Sequence, residues 1–100
     1  MSTYLIARVK IHDRAGYSNY IAGFMQVLSR FNAKLLSVEE SPELLEGTWD
    51  VTRTVLIEFP TKSEARAWYN SREYQDLAKH RLTAAEADIV LVQGREMESA

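Results

Sequence analysis

Residues 52–75 read TRTVLIEFPTKSEARAWYNSREYQ, and the change of period inside this stretch decides the fold. From 52 to 59 the side chains alternate. Val55, Ile57 and Phe59 face one way and Thr54, Leu56 and Glu58 the other, the period of two expected of a strand. Pro60 stops the strand, because it has no N–H to give the ladder. Thr61 and Glu64 then form a T-x-x-E capping box, which starts a helix. Ala65, Trp68 and Tyr69 supply that helix with its buried stripe. Ser71 can cap a second short helix, in which Tyr74, Leu77, Ala78 and Arg81 line up. Read this way, the aromatics Phe59, Trp68 and Tyr69 are packing. Glu58 and Tyr74 are left without a structural job.

Working outward toward the N-terminus, residues 4–12, YLIARVKIH, alternate as well. Leu5, Ala7, Val9 and Ile11 make one apolar face that should meet helices, and Tyr4, Ile6, Arg8, Lys10 and His12 make a mixed one. Asp13 is placed as an N-cap. From about 14 to 31, Tyr17, Tyr20, Ile21, Phe24, Leu28 and Phe31 recur at helical spacing. Gly23 costs this helix up to about 1 kcal/mol against alanine unless something packs closely there. Asn32 is the expected stop, since asparagine tolerates the left-handed conformation. Residues 34–40, KLLSVEE, read as a strand with Leu36 and Val38 on one face and Leu35 and Ser37 on the other. The connection 40–50, ESPELLEGTWD, is punctuated by Pro42 and Gly47 yet carries Leu44, Leu45 and Trp49. It reads as an arm or a short extra strand, acting either as a lid on the domain or as a clasp on a partner. Residues 87–93, ADIVLVQ, form the last strand. Gly94 and the polar tail are expected to fray, giving one domain over 1–95 and a flexible tail over 96–100.

The order β-α-β-β-α-β, with right-handed crossovers, predicts an α+β ferredoxin-like domain. Its four-stranded antiparallel sheet has order 4-1-3-2, with the helices on one face. Strands one and three are expected to be parallel neighbours. The other sheet face would then expose Tyr4, Ile6, Leu35, Leu56 and Val90, a patch that monomers avoid. A second copy packed face to face covers it, so the expected assembly is a homodimer through the open sheet face, closed as a dimeric α/β barrel.

Composition narrows the function. Twelve Lys and Arg are scattered among 14 Asp and Glu, for a net charge of −2. That is not the basic footprint of a nucleic-acid partner. The absence of cysteine removes disulfides, thiolate metal sites and cysteine nucleophiles. No window approaches the roughly 18 apolar residues of a membrane span, and the first ten residues lack a signal-peptide core. No membrane partner, no metal and no cofactor are expected, and the location expected is the cytoplasm. Phosphate-binding glycine loops, G-x-S-x-G, H-E-x-x-H and EF-hand patterns are absent.

Candidate chemistry rests on a few polar residues. Glu58 and Arg8 lie on the sheet face opposite the helices, where a charge must be paired or wet. Glu58 is either a general base in a polar pocket or half of an interior salt bridge. His80 ends the second short helix and His12 the first strand, at one end of the sheet; His80 is a second candidate base. Arg53 and Arg81 could hold a carboxylate or phosphate through the guanidinium fork. The structural alternative is a salt bridge to Glu46, Asp50 or Glu73. Tyr74 joins the ligand-binding candidates Arg8, Arg53 and Arg81 because a buried hydroxyl needs a partner.

One family shares these residues. The run EFP at 58–60, then Ala65, Ala67, Trp68, Tyr69, S-x-E-Y-Q at 71–75, Arg81 and Ala84-Ala85, resembles the family called domain of unknown function 1330. So do Tyr4, Tyr17 and Tyr20, and LEGTW at 45–49 followed by Arg53. The resemblance covers about residues 3–95. It implies a dimeric α/β-barrel protein, in a superfamily that includes cofactor-free monooxygenases, lactone isomerases, haem-degrading enzymes and stress-response dimers. The family itself has no agreed reaction. Many relatives carry a glycine-rich basic turn after the second strand, where this chain has Glu39-Glu40-Ser41-Pro42. Many also carry S-P-E-Y-Q, where this chain has Arg72. The expected function is binding of a small organic molecule between sheet and helices, with or without cofactor-independent acid/base or oxygenase chemistry. The alternative is a non-catalytic binding or regulatory dimer whose barrel is packed shut. Whether the chain is an enzyme is left open by its residues.

Overall fold

The computed structural model describes residues 2–95; the tail expected at 96–100 lies outside the described residues. Strand β1 (Thr3–Ile11) leads into helix α1 (Arg14–Leu28), then β2 (Lys34–Glu39), β3 (Arg53–Phe59), helices α2 (Lys62–Asn70) and α3 (Arg72–Ala84), and β4 (Ala85–Gln93). The sheet order is β2-β3-β1-β4, with every neighbouring pair antiparallel. This is the ferredoxin-like order. The direction of β3 corrects one expectation: it runs antiparallel to β1, not parallel. The crossover through α1 makes β1 and β2 run the same way, and the next connection reverses the chain.

The helices start where local chemistry starts them. The Asp13 carboxylate accepts from the Gly16 N–H at 3.1 Å, Thr61 Oγ1 from the Glu64 N–H at 3.1 Å, and Ser71 Oγ from the Tyr74 N–H at 3.1 Å. Ser71 also donates to the Trp68 carbonyl at 2.8 Å, so one hydroxyl closes α2 and opens α3. Helix α1 ends at Leu28 rather than near 31. Asn32 does not act as a left-handed stop, for no non-glycine residue among those described has positive φ. The connection between β2 and β3 forms no strand among the described residues.

The odd-numbered side chains of β1 and β3 face the helices and are buried: Leu5, Ala7 and Val9 with Val55, Ile57 and Phe59. Trp68 fills the centre, its ring 5.5 Å from Phe59 and 6.1 Å from Phe24. A side chain of this size contributes roughly 1.5–3 kcal/mol by burial. Tyr69 is less buried than expected, at 40% exposure. Helices α1 and α3 approach closely at Gly23, where a Cβ would sit 2.8 Å from Leu77 Cδ1. The contact is with the end of a flexible side chain, so a larger residue at 23 would turn Leu77 aside.

Strand β2 departs from plain alternation. Leu35 pairs with Ile57 and Val38 with Val55, both on the helix side, while Ser37 pairs with Leu56. The irregularity at Leu36 swaps the inside set. Leu35 therefore belongs to the helix-facing layer and not to the open face, and Leu36 is 46% exposed. The open face carries Tyr4, Ile6, Leu56, Val90 and Val92, with Trp49 laid across it. Trp49 donates from Nε1 to Thr54 Oγ1 at 3.0 Å, and the Arg8 guanidinium stands 4.6 Å from its ring centre. Gly94 is tied down rather than frayed: its N–H donates to the Ser2 carbonyl at 2.7 Å.

Candidate functional site

Between the sheet and helices α1 and α3 lies a cavity of about 160 Å³. Its walls are the apolar inner residues of β1 and β3 with Ile21, Phe24 and Ile89, and its polar groups come from Tyr17, Tyr20, Arg53, Trp68, Tyr74 and Arg81. Pleat and helical spacing bring these together. Arg53 opens β3 on the core side, Tyr17 and Tyr20 are one turn apart on α1, and Tyr74 and Arg81 are two turns apart on α3.

The hydroxyls of Tyr20 and Tyr74 share a buried hydrogen bond of 2.7 Å. Burial, and then the neighbouring Tyr74, push the Tyr20 phenol well above its ordinary value. Tyr17 is also raised by burial, against the pull of Arg53 and Arg81. Both phenols are therefore neutral O–H groups at physiological pH. The two arginines differ in their surroundings. Arg53 stacks 5.7 Å from the Tyr17 ring centre and pairs with Glu40 at 3.1 Å; Glu40 also takes Arg14 at 3.0 Å. Hydrogen bonds from Arg53 and Arg14 outweigh desolvation and hold the Glu40 carboxyl below the usual range. Arg81 is 6% exposed and stands 5.8 Å from the Tyr20 ring centre. Among the described residues it has no ion pair. Burial works against its charge, while hydrogen bonds to Tyr74 and Tyr20, and their Coulombic pull as they ionise, work for it and raise its pKa.

Of the residues singled out by sequence, Arg53, Tyr74 and Arg81 come together in this cavity. Glu58, His80 and Arg8 do not line it. Glu58 is half-buried on the open side of the sheet, accepts from Ser2 Oγ at 2.6 Å, and borders an open cleft with Asn32 and Lys34. Arg8 shares that side but pairs across from Thr54, while Glu58 pairs across from Tyr4. Four residues along a strand separate them by about 13 Å. His80 is exposed on α3, and His12 is exposed beyond β1. The acid that meets Arg53 is Glu40, not Glu46, Asp50 or Glu73; Asp50 pairs with Lys10 and Glu73 with Arg30. Tyr17 and Tyr20 were hidden in a helical stripe that also fits phenylalanine. The available signal was their hydroxyls, which packing alone does not call for. Among the described residues no three His, Asp or Glu side chains gather as a metal site, and no helix is long and apolar enough to cross a membrane.

The family described as Domain of unknown function (DUF1330) matches residues 2–95. The chain belongs to this family. No curated protein matches the sequence significantly. Among solved structures, a protein of unknown function from Rhodopseudomonas palustris superposes with a TM-score of 0.76 at 16% identity, over 95% of this chain and 83% of its own. A dimeric ferredoxin-like protein of unknown function from Jannaschia gives 0.73 at 9% identity, over 94% and 100%. SnoaB from Streptomyces nogalater, a cofactor-independent oxygenase, gives 0.71 at 11% identity, over 96% and 95%. At such identities the likeness establishes the ferredoxin-like fold of this DUF1330 protein, and a shared fold does not transfer a reaction.

Proposed function

We propose that this DUF1330 protein is a homodimer that binds a small organic molecule in the cavity between sheet and helices. The observation that carries the reading is a mostly apolar enclosure with convergent polar groups at one side, the usual make-up of a ligand site. Its volume of about 160 Å³ is half the ~300 Å³ lower bound for drug-sized ligands. An apolar cavity of ~150 Å³ holds benzene, so the guest is of single-ring size. The open face, with Val90 53% and Val92 43% exposed, supports pairing with a second copy, as does the dimeric state of the Jannaschia protein.

The side chains lining the cavity include no carboxylate and no imidazole, the usual general bases. This favours binding over proton abstraction. Glu58 and His80 would serve as bases only for a ligand elsewhere. The test is a thermal-shift and calorimetric screen of single-ring compounds, neutral and charged, on the wild type and on Ala7→Leu, which fills the cavity from β1. Saturable binding lost in Ala7→Leu supports the reading. No binding by any compound, or equal binding by both proteins, removes it.

A second reading, cofactor-independent oxygenation in the same cavity, draws on the fold shared with SnoaB and on groups that would stabilise a phenolate or enolate. Dioxygen uptake with electron-rich phenols tests it. Uptake no faster than the protein-free blank leaves binding alone.

A further inference from the structure

We infer that the cavity's guest is an organic anion, a single-ring carboxylate whose carboxylate group is held by Arg81 together with the Tyr20–Tyr74 hydroxyl pair. This rests on the binding role proposed above and adds the chemical class.

The inference follows from a count of donors and acceptors. Among the described residues, the buried side-chain polar atoms without a hydrogen-bond partner are Arg8 Nε, Arg53 Nε, Trp68 Nε1 and Arg81 Nε. All four are N–H donors. Three of those residues, Arg53, Trp68 and Arg81, line this one cavity. The Tyr20–Tyr74 pair adds another donor. Two hydroxyls carry two protons, one proton makes the bond between them, and the second is free to donate. The cavity therefore holds unpartnered donors and no acidic side chain; its side-chain oxygens are tyrosine hydroxyls, on two of which Arg81 already draws. Buried donors without acceptors are costly, and an unpaired buried cation more so.

An anion with several lone pairs on a small head is the complement. A carboxylate offers two oxygens that accept from a guanidinium fork and a phenol together. Arg53 is a weaker candidate anchor, because Glu40 already neutralises it. Arg81 alone is nine-tenths buried, charged and without an acid. The apolar walls, Leu5, Ala7, Val55, Ile57 and Phe24, then take the ring. A fully polar anion such as phosphate leaves those walls without a partner, which is why the class is a ring carboxylate rather than an inorganic ion.

The experiment is isothermal titration of the full chain with benzoate and cyclohexanecarboxylate. The comparators are benzamide and benzyl alcohol as neutral rings and acetate as a head without a ring. The proteins are wild type, Arg81→Met, Arg81→Lys and Tyr74→Phe. The expected result is that a ring carboxylate binds the wild type at least roughly tenfold more tightly than either neutral ring or acetate. Arg81→Met abolishes that preference, while its binding of the neutral rings is unchanged. Arg81→Lys, which keeps the charge without the fork, falls between. Should Arg81→Met not fold, a reduced preference in both Arg81→Lys and Tyr74→Phe carries the same conclusion, and an undiminished preference in both overturns it. Carboxylates binding no better than neutral rings, or a preference that survives Arg81→Met, overturns the anion inference and leaves the binding role intact. Binding of none of the five probes overturns both.

Discussion

If Arg81 is kept for an anion, the ligand-free protein should be more stable without it. The perturbation is Arg81→Met, which replaces a buried guanidinium with an unbranched apolar chain. Desolvating an ion costs several kcal/mol even after relaxation. The Coulombic pull of Tyr74 and Tyr20 that raises the Arg81 pKa belongs to ionised phenols and is absent while they keep their protons, so two features offset only part of this cost. The guanidinium lies 5.8 Å from the Tyr20 ring centre, near the ~6 Å limit of a cation–π contact, which is worth about 0.5–1 kcal/mol at that range. The polar field of the two tyrosine oxygens adds about as much as one charge-assisted hydrogen bond, ~1.5–3 kcal/mol. The balance leaves Arg81→Met about 1 kcal/mol more stable, a rise in Tm of roughly 4–8 °C for a domain of this size.

Urea unfolding followed by far-UV circular dichroism measures this directly, with the m-value checked for constancy. Runs at several protein concentrations separate folding from dimer dissociation. Benzoate at a hundred times its wild-type Kd should add about 2.7 kcal/mol to the wild type and at most about 1.4 kcal/mol to Arg81→Met, whose binding is at least about tenfold weaker. A variant less stable than the wild type would refute the reasoning. Arg81 would then be a strut holding Tyr20 and Tyr74, with its donors satisfied by the protein or by water, and the cavity's remaining unpartnered donors would have no ligand to explain them.

Ser71→Ala should lower stability by about 1 kcal/mol in the same urea assay, because one hydroxyl serves both the Trp68 carbonyl and the Tyr74 N–H. Glu40 has a folded pKa below its ordinary 4.5. Its contribution is present in full above that value and is lost as pH falls through the lowered folded one. Glu40→Gln should therefore cost under about 1 kcal/mol at pH 7, because the carboxylate is exposed, and the difference from wild type should vanish in unfolding curves taken at strongly acidic pH. Val90→Asp should yield a folded monomer by light scattering, since Val90 is 53% exposed in the single chain and a charge there has a cost only if a second copy covers it. An unaltered dimer would move the interface elsewhere.

Strands β1 and β3 and the starts of all three helices were legible because their causes are local: a period of two, a proline, and a side-chain oxygen at each N-cap. What depends on pairing was not. KLLSVE, residues 34–39, places leucine on both faces, so only the β3 partner reveals that the irregularity at Leu36 brings Leu35 and Val38 to the same side. The direction of β3 follows from the connections: the helical crossover leaves β1 and β2 parallel, and the return to β3 reverses the chain. For the site, type was legible and arrangement was not. Arg81 could be marked as a candidate anion holder, but its state depends on where the chain's 14 acids end up. Folding assigns Glu40 to Arg53 and Arg14, Glu73 to Arg30, Asp50 to Lys10 and Asp76 to Lys79. All of those pairs have exposed or partly exposed members, where an ion pair is worth little. The one arginine that burial makes expensive receives no acid from the described chain. Selection for stability alone would favour an apolar residue at 81, where Ala84 and Ala78 on the same helix are fully buried without cost. A retained, unpaired guanidinium facing a ring-sized apolar space is therefore better explained by what enters that space than by the packing around it.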